Sequence, residues 1–277
     1  MQTLPKHVAL LGATGRLGRA VVRQRSAHAI VGLARSGGCE IAGDRNRPEL
    51  LRQLLHDKDT VIDLCAFVPQ DAQLLCDAAK GLNLQDIPLV FASSIAARWV
   101  QDWPTPIAAD EALPHDAYGR DKALTAQVFA RHWPGPVCTL LLPQIVALDD
   151  ASARELAYLR DAKQYGYARI SGDGAQKVAL VDADTAAQII WQALQLRLNA
   201  TLQLAIAHEL PLHALVLALL EGAGLPAKWR ALGNARGPHS QRDEIVDLSQ
   251  FHEHFPQQKW PDLLDLHRQL GARLQML

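Results

Sequence analysis

Short apolar runs alternate with helix-spaced segments through the first half of the chain. His7 to Leu11 is an apolar run of strand length, Leu17 to Arg25 sets its apolar residues at helical spacing, and Ala29 to Leu33 returns to a strand. A brief strand ending near Asp44 follows, then a helix over Pro48 to His56 with proline in its first turn, a strand over Thr60 to Leu64, a helix over Asp71 to Gly81 and a strand over Pro88 to Ala92. After a proline-rich loop, Trp99 to Pro114, a helix is predicted from about Ala117 to His132, stopped by Pro134. The strand Val137 to Leu142 then completes six strands by Pro143. Strands that alternate with helices in this way need crossover connections, and crossovers make a parallel sheet.

Beyond Pro143 the rhythm changes. A helix is expected around Ser152 to Gln164, a strand near Ala168 to Ser171, the turn Gly172-Asp173-Gly174, a strand from Val178 to Val181 and a helix from Ala183 to Leu196. The remainder holds a strand near Leu202 to Ala207, a helix near Leu210 to Ala223, a polar basic loop through Arg242 and a closing helix around Leu263 to Leu274. The pattern predicts an α/β fold with a doubly wound parallel sheet and a small C-terminal lobe. The sheet domain is expected over residues 1–146 plus 175–198, the lobe over 147–174 plus 199–277.

Charge narrows the partners. With 28 Lys and Arg against 29 Asp and Glu there is no excess to hold a polyphosphate backbone or an anionic membrane, so neither nucleic acid nor lipid is expected. Met1 to His7 carries no basic segment followed by a long apolar run, and Leu210 to Leu220, interrupted by His213, is a buried helix rather than a membrane span. The four cysteines, Cys39, Cys65, Cys76 and Cys138, fall at irregular spacings with no C-x-x-C, which fits a reducing cytoplasm. His252 and His254 lack a third ligand at metal-binding spacing, and no metal site is expected.

The first strand runs directly into Gly12-Ala13-Thr14-Gly15-Arg16-Leu17-Gly18 and then a helix. A dinucleotide site needs this order: Gly12 permits the tight turn, Gly15 lets the backbone approach a pyrophosphate, Gly18 lets helix and strand pack closely, and the helix N-terminus supplies donors. Thr14, Arg16 and Leu17 complete the candidate turn, and the fold is expected to be of the Rossmann type. The end of the second strand discriminates between nicotinamide cofactors, because a carboxylate there accepts from the ribose 2′-hydroxyl whereas arginine accommodates a 2′-phosphate. Arg35 stands there beside Ser36, and no acid occurs between Ala29 and Cys39, so NADP is favoured over NAD. Asp44 either accepts from the adenine amine or caps a turn.

Tyr118 and Lys122 open the fourth helix at i, i+4, on one face a single turn apart. A cation near a phenol favours phenolate, so Lys122 is expected to lower the Tyr118 pKa toward the range in which it can exchange a proton at a carbonyl. Ser94 ends the preceding strand on the side where open α/β sheets bind ligands, within reach of the same substrate oxygen.

These residues resemble the short-chain dehydrogenase/reductase superfamily, in particular its extended NAD(P)-dependent epimerase/dehydratase branch. Gly12, Gly15 and Gly18 match the cofactor turn, Gly43-Asp44 the adenine strand, Asp63-Leu64-Cys65-Ala66 the usual His-Leu-Ala-Ala, Val90-Phe91-Ala92-Ser93-Ser94 the serine strand, and Tyr118 with Lys122 the catalytic pair. Leu142-Pro143-Gln144-Ile145-Val146 is similar to the family's Arg-Pro-x-x-Val, and Gly172-Asp173-Gly174 through Val181-Asp182-Ala183-Asp184-Thr185-Ala186 to its Gly-Asp-Gly and Val-Asp-Asp-Val-Ala segments. The resemblance implies hydride transfer between a substrate carbon and nicotinamide. Tyr118 would exchange the proton, Lys122 would hold the nicotinamide ribose, Ser94 would orient the oxygen, and Cys65, Ala66 and Pro143 would line the cofactor. Phe67 and Gln144 are next placed near a small-molecule substrate. A homodimer through the helices Asp71 to Gly81 and Ala117 to His132 is implied as well.

Departures from the family pattern matter equally. Ile95-Ala96 stand where sugar-nucleotide dehydratases carry an acidic pair, Ala97-Arg98-Trp99 replace Val-Tyr-Gly, and Leu142 replaces the arginine before Pro143. Lys228, Arg230, Arg236 and Arg242 are either a diphosphate grip or a solvated basic loop, and Asp110 and Glu111 match the acidic loop before the catalytic helix or are simply solvated. The expected activity is that of an NAD(P)-dependent oxidoreductase or epimerase acting on a secondary alcohol or ketone, of a sugar or sugar nucleotide. The alternative is a non-catalytic NAD(P)-binding regulator or assembly factor of the same fold; such relatives typically lose the Tyr-Lys pair, which this chain keeps.

Overall fold

The structure is a computed structural model, and it describes residues 6–24, 29–98, 116–150, 153–206, 210–232 and 243–275. In chain order the elements are β1 (His7–Leu11), α1 (Arg16–Arg23), β2 (Ala29–Ala34), β3 (Ile41–Ala42), α2 (Pro48–Leu55), β4 (Thr60–Asp63), α3 (Pro69–Gly81) and β5 (Leu89–Ser94). A 3-10 turn (Ile95–Arg98) follows, then α4 (Ala117–His132), β6 (Val137–Leu142), β7 (Gln144–Val146), α5 (Ala153–Tyr165), β8 (Ala168–Ser171) and β9 (Leu180–Asp182). The chain ends with α6 (Ala183–Gln195), β10 (Ala200–Gln203), α7 (Leu212–Gly222), β11 (Trp229–Leu232), α8 (Ser249–His254) and α9 (Leu263–Gln275).

Among the described residues the chain divides into two compact units. The first contains β1 to β6, α1 to α4, α6 and β10; the second contains β7 to β9, β11, α5 and α7 to α9. The first unit is built on a seven-stranded sheet in the order β10-β6-β5-β4-β1-β2-β3, with every pair parallel, which is the Rossmann-type α/β fold. Buried on both faces, its strands read as continuous apolar runs rather than as alternation: β6, Val-Cys-Thr-Leu-Leu-Leu, is buried at all six positions. Against the sheet Phe91 and Phe129 pack with ring centroids 5.1 Å apart, and Trp133 meets Phe129 edge-on while its indole N–H donates to the Ile87 carbonyl at 2.6 Å. Aromatic contacts of this geometry add to the area they bury.

The second unit is held by α7 crossing α9 at glycines. A Cβ on Gly222 would lie 2.0 Å from the Arg268 carbonyl oxygen, and one on Gly271 would lie 2.0 Å from that of Leu219. Leu215, Leu219, Leu220 and Leu270 fill the space beside this backbone contact.

Three features differ from the sequence reading. The strand expected near Leu202 in the small lobe begins at Ala200 and is the edge of the main sheet, paired with β6 from Ala200 opposite Cys138. A Thr-Leu-Gln-Leu run suits either body, and only the pairing partner decides it. Residues 175–182, assigned to the sheet domain, belong to the second unit, where β9 pairs with β7. Within the expected basic loop lies the strand β11, whose residues Trp-Arg-Ala-Leu are half-buried or exposed throughout and carry no alternation to announce it. Asp110, Glu111, Arg236, Arg242 and the loop from Trp99 to Pro114 lie outside the described residues.

Replacing Gly271 by alanine should force the two helices apart, because a backbone carbonyl cannot move as a side-chain tip can. The expected loss is about 1–3 kcal/mol, the usual cost of overpacking, read as a lower midpoint in denaturant unfolding. An unchanged midpoint would contradict the crossing.

Candidate active site

Gly12 has φ +84°, and a Cβ there would come within 3.3 Å of the Cys65 Cβ; one on Gly18 would sit 2.2 Å from the Gly12 carbonyl oxygen. The turn thus folds back under the start of α1, as the spacing predicts. Gly15 is the N-cap, with its N–H donating to Gly12 at 3.1 Å and no side-chain cap, and the first turn of α1 has no acidic residue. The N-terminal positive potential of α1 is therefore available to an anion. Leu17 is buried, so it can offer only its backbone N–H, and the Thr14 carbonyl accepts from Arg19 Nη1 at 2.8 Å.

Arg35 and Ser36 are exposed immediately after β2. Asp44 is also exposed, its carboxylate accepting the Asn46 N–H at 2.9 Å in a local turn. The sequence reading missed Glu40. Its carboxylate returns to β2 and accepts the Gly32 N–H at 2.8 Å, lining a cleft of about 420 Å³ with Thr14, Arg19 and Gly38. The six residues between β2 and β3 are too few for a covering helix, which leaves this cleft open beside α1.

The chemistry gathers at the carboxyl end of β5. Asp116 caps α4, accepting the Gly119 N–H at 2.6 Å. A Cβ on Gly119 would lie 2.2 Å from the Ala96 carbonyl oxygen, so the first turn of α4 rests directly on the 3-10 turn that follows Ser94. That approach brings the Tyr118 phenol near Ser94, whose hydroxyl favours the phenolate, while Ser94 Oγ accepts the Ala96 N–H at 3.2 Å.

Lys122, one turn further along α4, is only 3% exposed. Its ammonium donates to the carbonyls of Ala66 at 2.8 Å and Ala92 at 3.0 Å, and faces the rings of Phe67 at 4.7 Å and Phe91 at 5.1 Å. Burial pulls Lys122 down to about 8, opposed by Asp63, Cys65 and Asp71, while Arg45 lowers it further. The expectation that Lys122 lowers the Tyr118 pKa is not met. Burial raises Tyr118 above its ordinary value, the Ser94 hydrogen bond opposes that, Asp116 adds to the rise, and Lys122 exerts no resolved influence. The ammonium is directed to the Ala66 and Ala92 carbonyls instead.

A second group missed by the sequence reading lies beneath the 64–68 loop. Arg45 makes a bidentate pair with Asp63 at 2.8 and 2.9 Å and donates to the Asp71 carbonyl at 3.0 Å and to Cys65 Sγ at 3.4 Å. Asp63 in turn accepts the N–H groups of Cys65 and Ala66, and Asp71 those of Phe67 and Val68. Despite burial, Asp63 holds Arg45 above its ordinary value. The sequence signal was Asp63 at the end of an apolar strand, a buried acid in need of a cation.

The remaining candidates separate. Ala66 is buried with its carbonyl on Lys122, Pro143 is buried after β6, and Phe67 is 53% exposed over the ammonium. Gln144 belongs to the second unit, where its side-chain amide donates to Glu155 at 3.1 Å and accepts from Arg154, so both ends of that amide are engaged. No group of three or more His, Cys, Asp or Glu capable of holding a metal occurs among the described residues.

Thiol reactivity provides a check on this geometry. Burial pushes Cys65, Cys76 and Cys138 up to about 12, with Asp63 adding to the rise at Cys65, so all three stay protonated at pH 8. Iodoacetamide at pH 8 should modify the half-buried Cys39 first in the native protein, as read by peptide mass mapping. Early labelling of Cys65 would contradict its placement under Arg45.

Neither a protein-family model nor a curated protein matches the sequence. Solved structures do match over nearly the whole chain. A UDP-N-acetylglucosamine 4-epimerase from Bacillus cereus aligns with TM-score 0.79 at 19% identity, covering 98% of this chain and 99% of its own. A UDP-glucose 4-epimerase from Brucella ovis in complex with NAD gives TM-score 0.79 at 16% identity, covering 98% of each chain. A short-chain dehydrogenase/reductase superfamily protein from Agrobacterium tumefaciens with bound NAD gives TM-score 0.79 at 16% identity, covering 98% of this chain and 97% of its own. The chain therefore has the fold of the short-chain dehydrogenase/reductase and nucleotide-sugar epimerase structures.

Proposed function

We propose that the protein is an NAD(P)-dependent short-chain dehydrogenase/reductase-type enzyme, an oxidoreductase or epimerase acting at a secondary alcohol or ketone carbon of a sugar or sugar nucleotide. The observation that supports this reading is the approach of Tyr118 to Ser94 at the carboxyl end of β5, with Lys122 buried one turn along α4, in the same unit as a glycine turn whose close contacts leave no room for side chains. The substrate class follows the sugar-nucleotide epimerases that share the fold. Ile95-Ala96 after Ser94 supply no acid for water elimination, which sets a dehydratase aside.

The residues divide the work as follows. Gly12 to Gly18 and the α1 N-terminus would hold the pyrophosphate. When bound, the dinucleotide supplies the hydride acceptor or donor. Lys122 spends two of its three N–H donors on Ala66 and Ala92, leaving the third for a ribose hydroxyl. Tyr118, its pKa raised, is protonated at neutral pH and serves as the acid that protonates a carbonyl oxygen, while Ser94 donates to the same oxygen. This favours the reductive direction. Arg35 and Ser36 at the end of β2 suit a 2′-phosphate and hence NADP, whereas Glu40, in the cleft with Thr14, is the acid that would favour NAD. The protein is further proposed to be cytoplasmic and homodimeric through α3 and α4; among the described residues no helix is long and apolar enough to cross a membrane.

Denaturing the purified protein and weighing any released nucleotide, then titrating the emptied protein with NADPH and NADH, tests the cofactor. Tight NADPH binding weakened by Arg35→Ala is the expected result, and retained NAD would favour an epimerase that recycles its own hydride. In a screen of ketone substrates, Tyr118→Phe should lower kcat about 10²-fold or more. Full activity in that variant would remove the assignment of Tyr118. Because Tyr118 lies above its ordinary value of 10.0, reduction should hold through neutral pH and fall only on the alkaline side, as its proton is lost. Light scattering that found a monomer across working concentrations would exclude the dimer.

A further inference from the structure

Four charged side chains are sequestered together in the first unit: Arg45 is 8% exposed, Asp63 0%, Asp71 8% and Lys122 3%. Two are cations and two are anions. Isolated buried charges are very costly, so such a group persists only if its charges compensate and its hydrogen bonds are met. Arg45 and Asp63 satisfy each other in a bidentate pair. Arg45 also reaches the second acid, so the two acids share one arginine and the cluster carries an excess negative charge that Lys122 balances. Asp71 lies 3.7 Å from Arg45 Nε, and its other carboxylate oxygen gathers the Phe67 and Val68 N–H groups.

We infer that Arg45, Asp63 and Asp71 are positioning residues for Lys122: together they fix the 64–68 loop whose Ala66 carbonyl and Phe67 ring seat the ammonium, and the two acids together, Asp63 foremost, supply its counter-charge. The geometry is continuous. Asp63 fixes the N–H groups of Cys65 and Ala66, Asp71 fixes those of Phe67 and Val68, Arg45 ties the two acids, and Lys122 closes the set on Ala66. The charged and titratable groups acting on Lys122 are Asp63 and Cys65 from β4 and its loop, Arg45 from the β3–α2 connection and Asp71 from α3; Tyr118 shares its helix. The catalytic meaning of this cluster rests on the proposed role of Lys122. The charge pairing does not.

The experiment follows the Lys122 ammonium by NMR on protein labelled with 13C lysine, its resonance assigned by absence in Lys122→Met. The wild type should titrate near 8. Asp71→Asn preserves shape and removes one negative charge, so the midpoint should fall; Arg45→Gln removes a positive charge, so the midpoint should rise. A merely structural role predicts something different. Loosening the loop by either variant would hydrate the amine and move both midpoints upward, toward 10.5. An unchanged or higher midpoint in Asp71→Asn overturns the inference. If either single variant fails to fold, the double variant Arg45→Gln/Asp71→Asn, whose charges again cancel, decides: a midpoint within about half a unit of wild type supports the pairing, and any larger displacement overturns it. No substrate or cofactor enters this measurement, so it stands or falls separately from the proposed activity, which Tyr118→Phe tests.

Discussion

The candidate site depends on one buried ammonium. Lys122 leaves α4 and donates to two carbonyls, Ala66 in the loop after β4 and Ala92 within β5, so a single side chain ties a helix to two neighbouring strands. A charge so placed must be compensated locally, because water cannot reach it. That requirement accounts for the acids beneath the 64–68 loop, for the arginine that holds them, and for the aromatic rings that face the amine. The close seating of Gly119 on the Ala96 carbonyl is the second constraint, since it sets the height of α4 and thereby brings Tyr118 to Ser94.

Much of this was legible in the sequence where the signal is local. The strand, glycine turn and helix at Gly12 to Gly18 announce themselves, because each glycine answers a steric need within seven residues. The Tyr118 and Lys122 spacing is equally local. What could not be read was pairing across the chain. Arg45 and Asp63 stand 18 residues apart, and neither carries a mark of the other until the parallel order brings the carboxyl ends of β3 and β4 to the same end of the sheet. The direction of the Tyr118 shift failed for a related reason: i, i+4 spacing shows that two side chains share a face, but not that one of them is turned toward other acceptors. Gln144 illustrates the same limit, since its amide is committed to Arg154 and Glu155 on the following helix.

The two units differ in how firmly sequence specifies them. The sheet of the first uses long apolar strands whose burial is two-sided and therefore plain in composition. The second relies on short strands and on α7 meeting α9 through Gly222 and Gly271, a contact made by what those residues lack. Patterns of apolar residues do not report absences, which is why α5, α7 and α9 are legible in the sequence while β7, β11 and the short α8 are not.

The short connection between β2 and β3 has a consequence for how the molecule behaves in company. β3 is the edge of the sheet and only two residues long, so β2 turns a backbone donor at Gly32 past its end. A bare donor on a sheet edge is a template on which another chain can add a strand. Glu40 occupies it, placing a carboxylate where a neighbouring strand would have to pair and repelling one that approaches. The fold thereby closes this margin against edge-to-edge growth with one acidic side chain in place of a covering helix, a safeguard against aggregation.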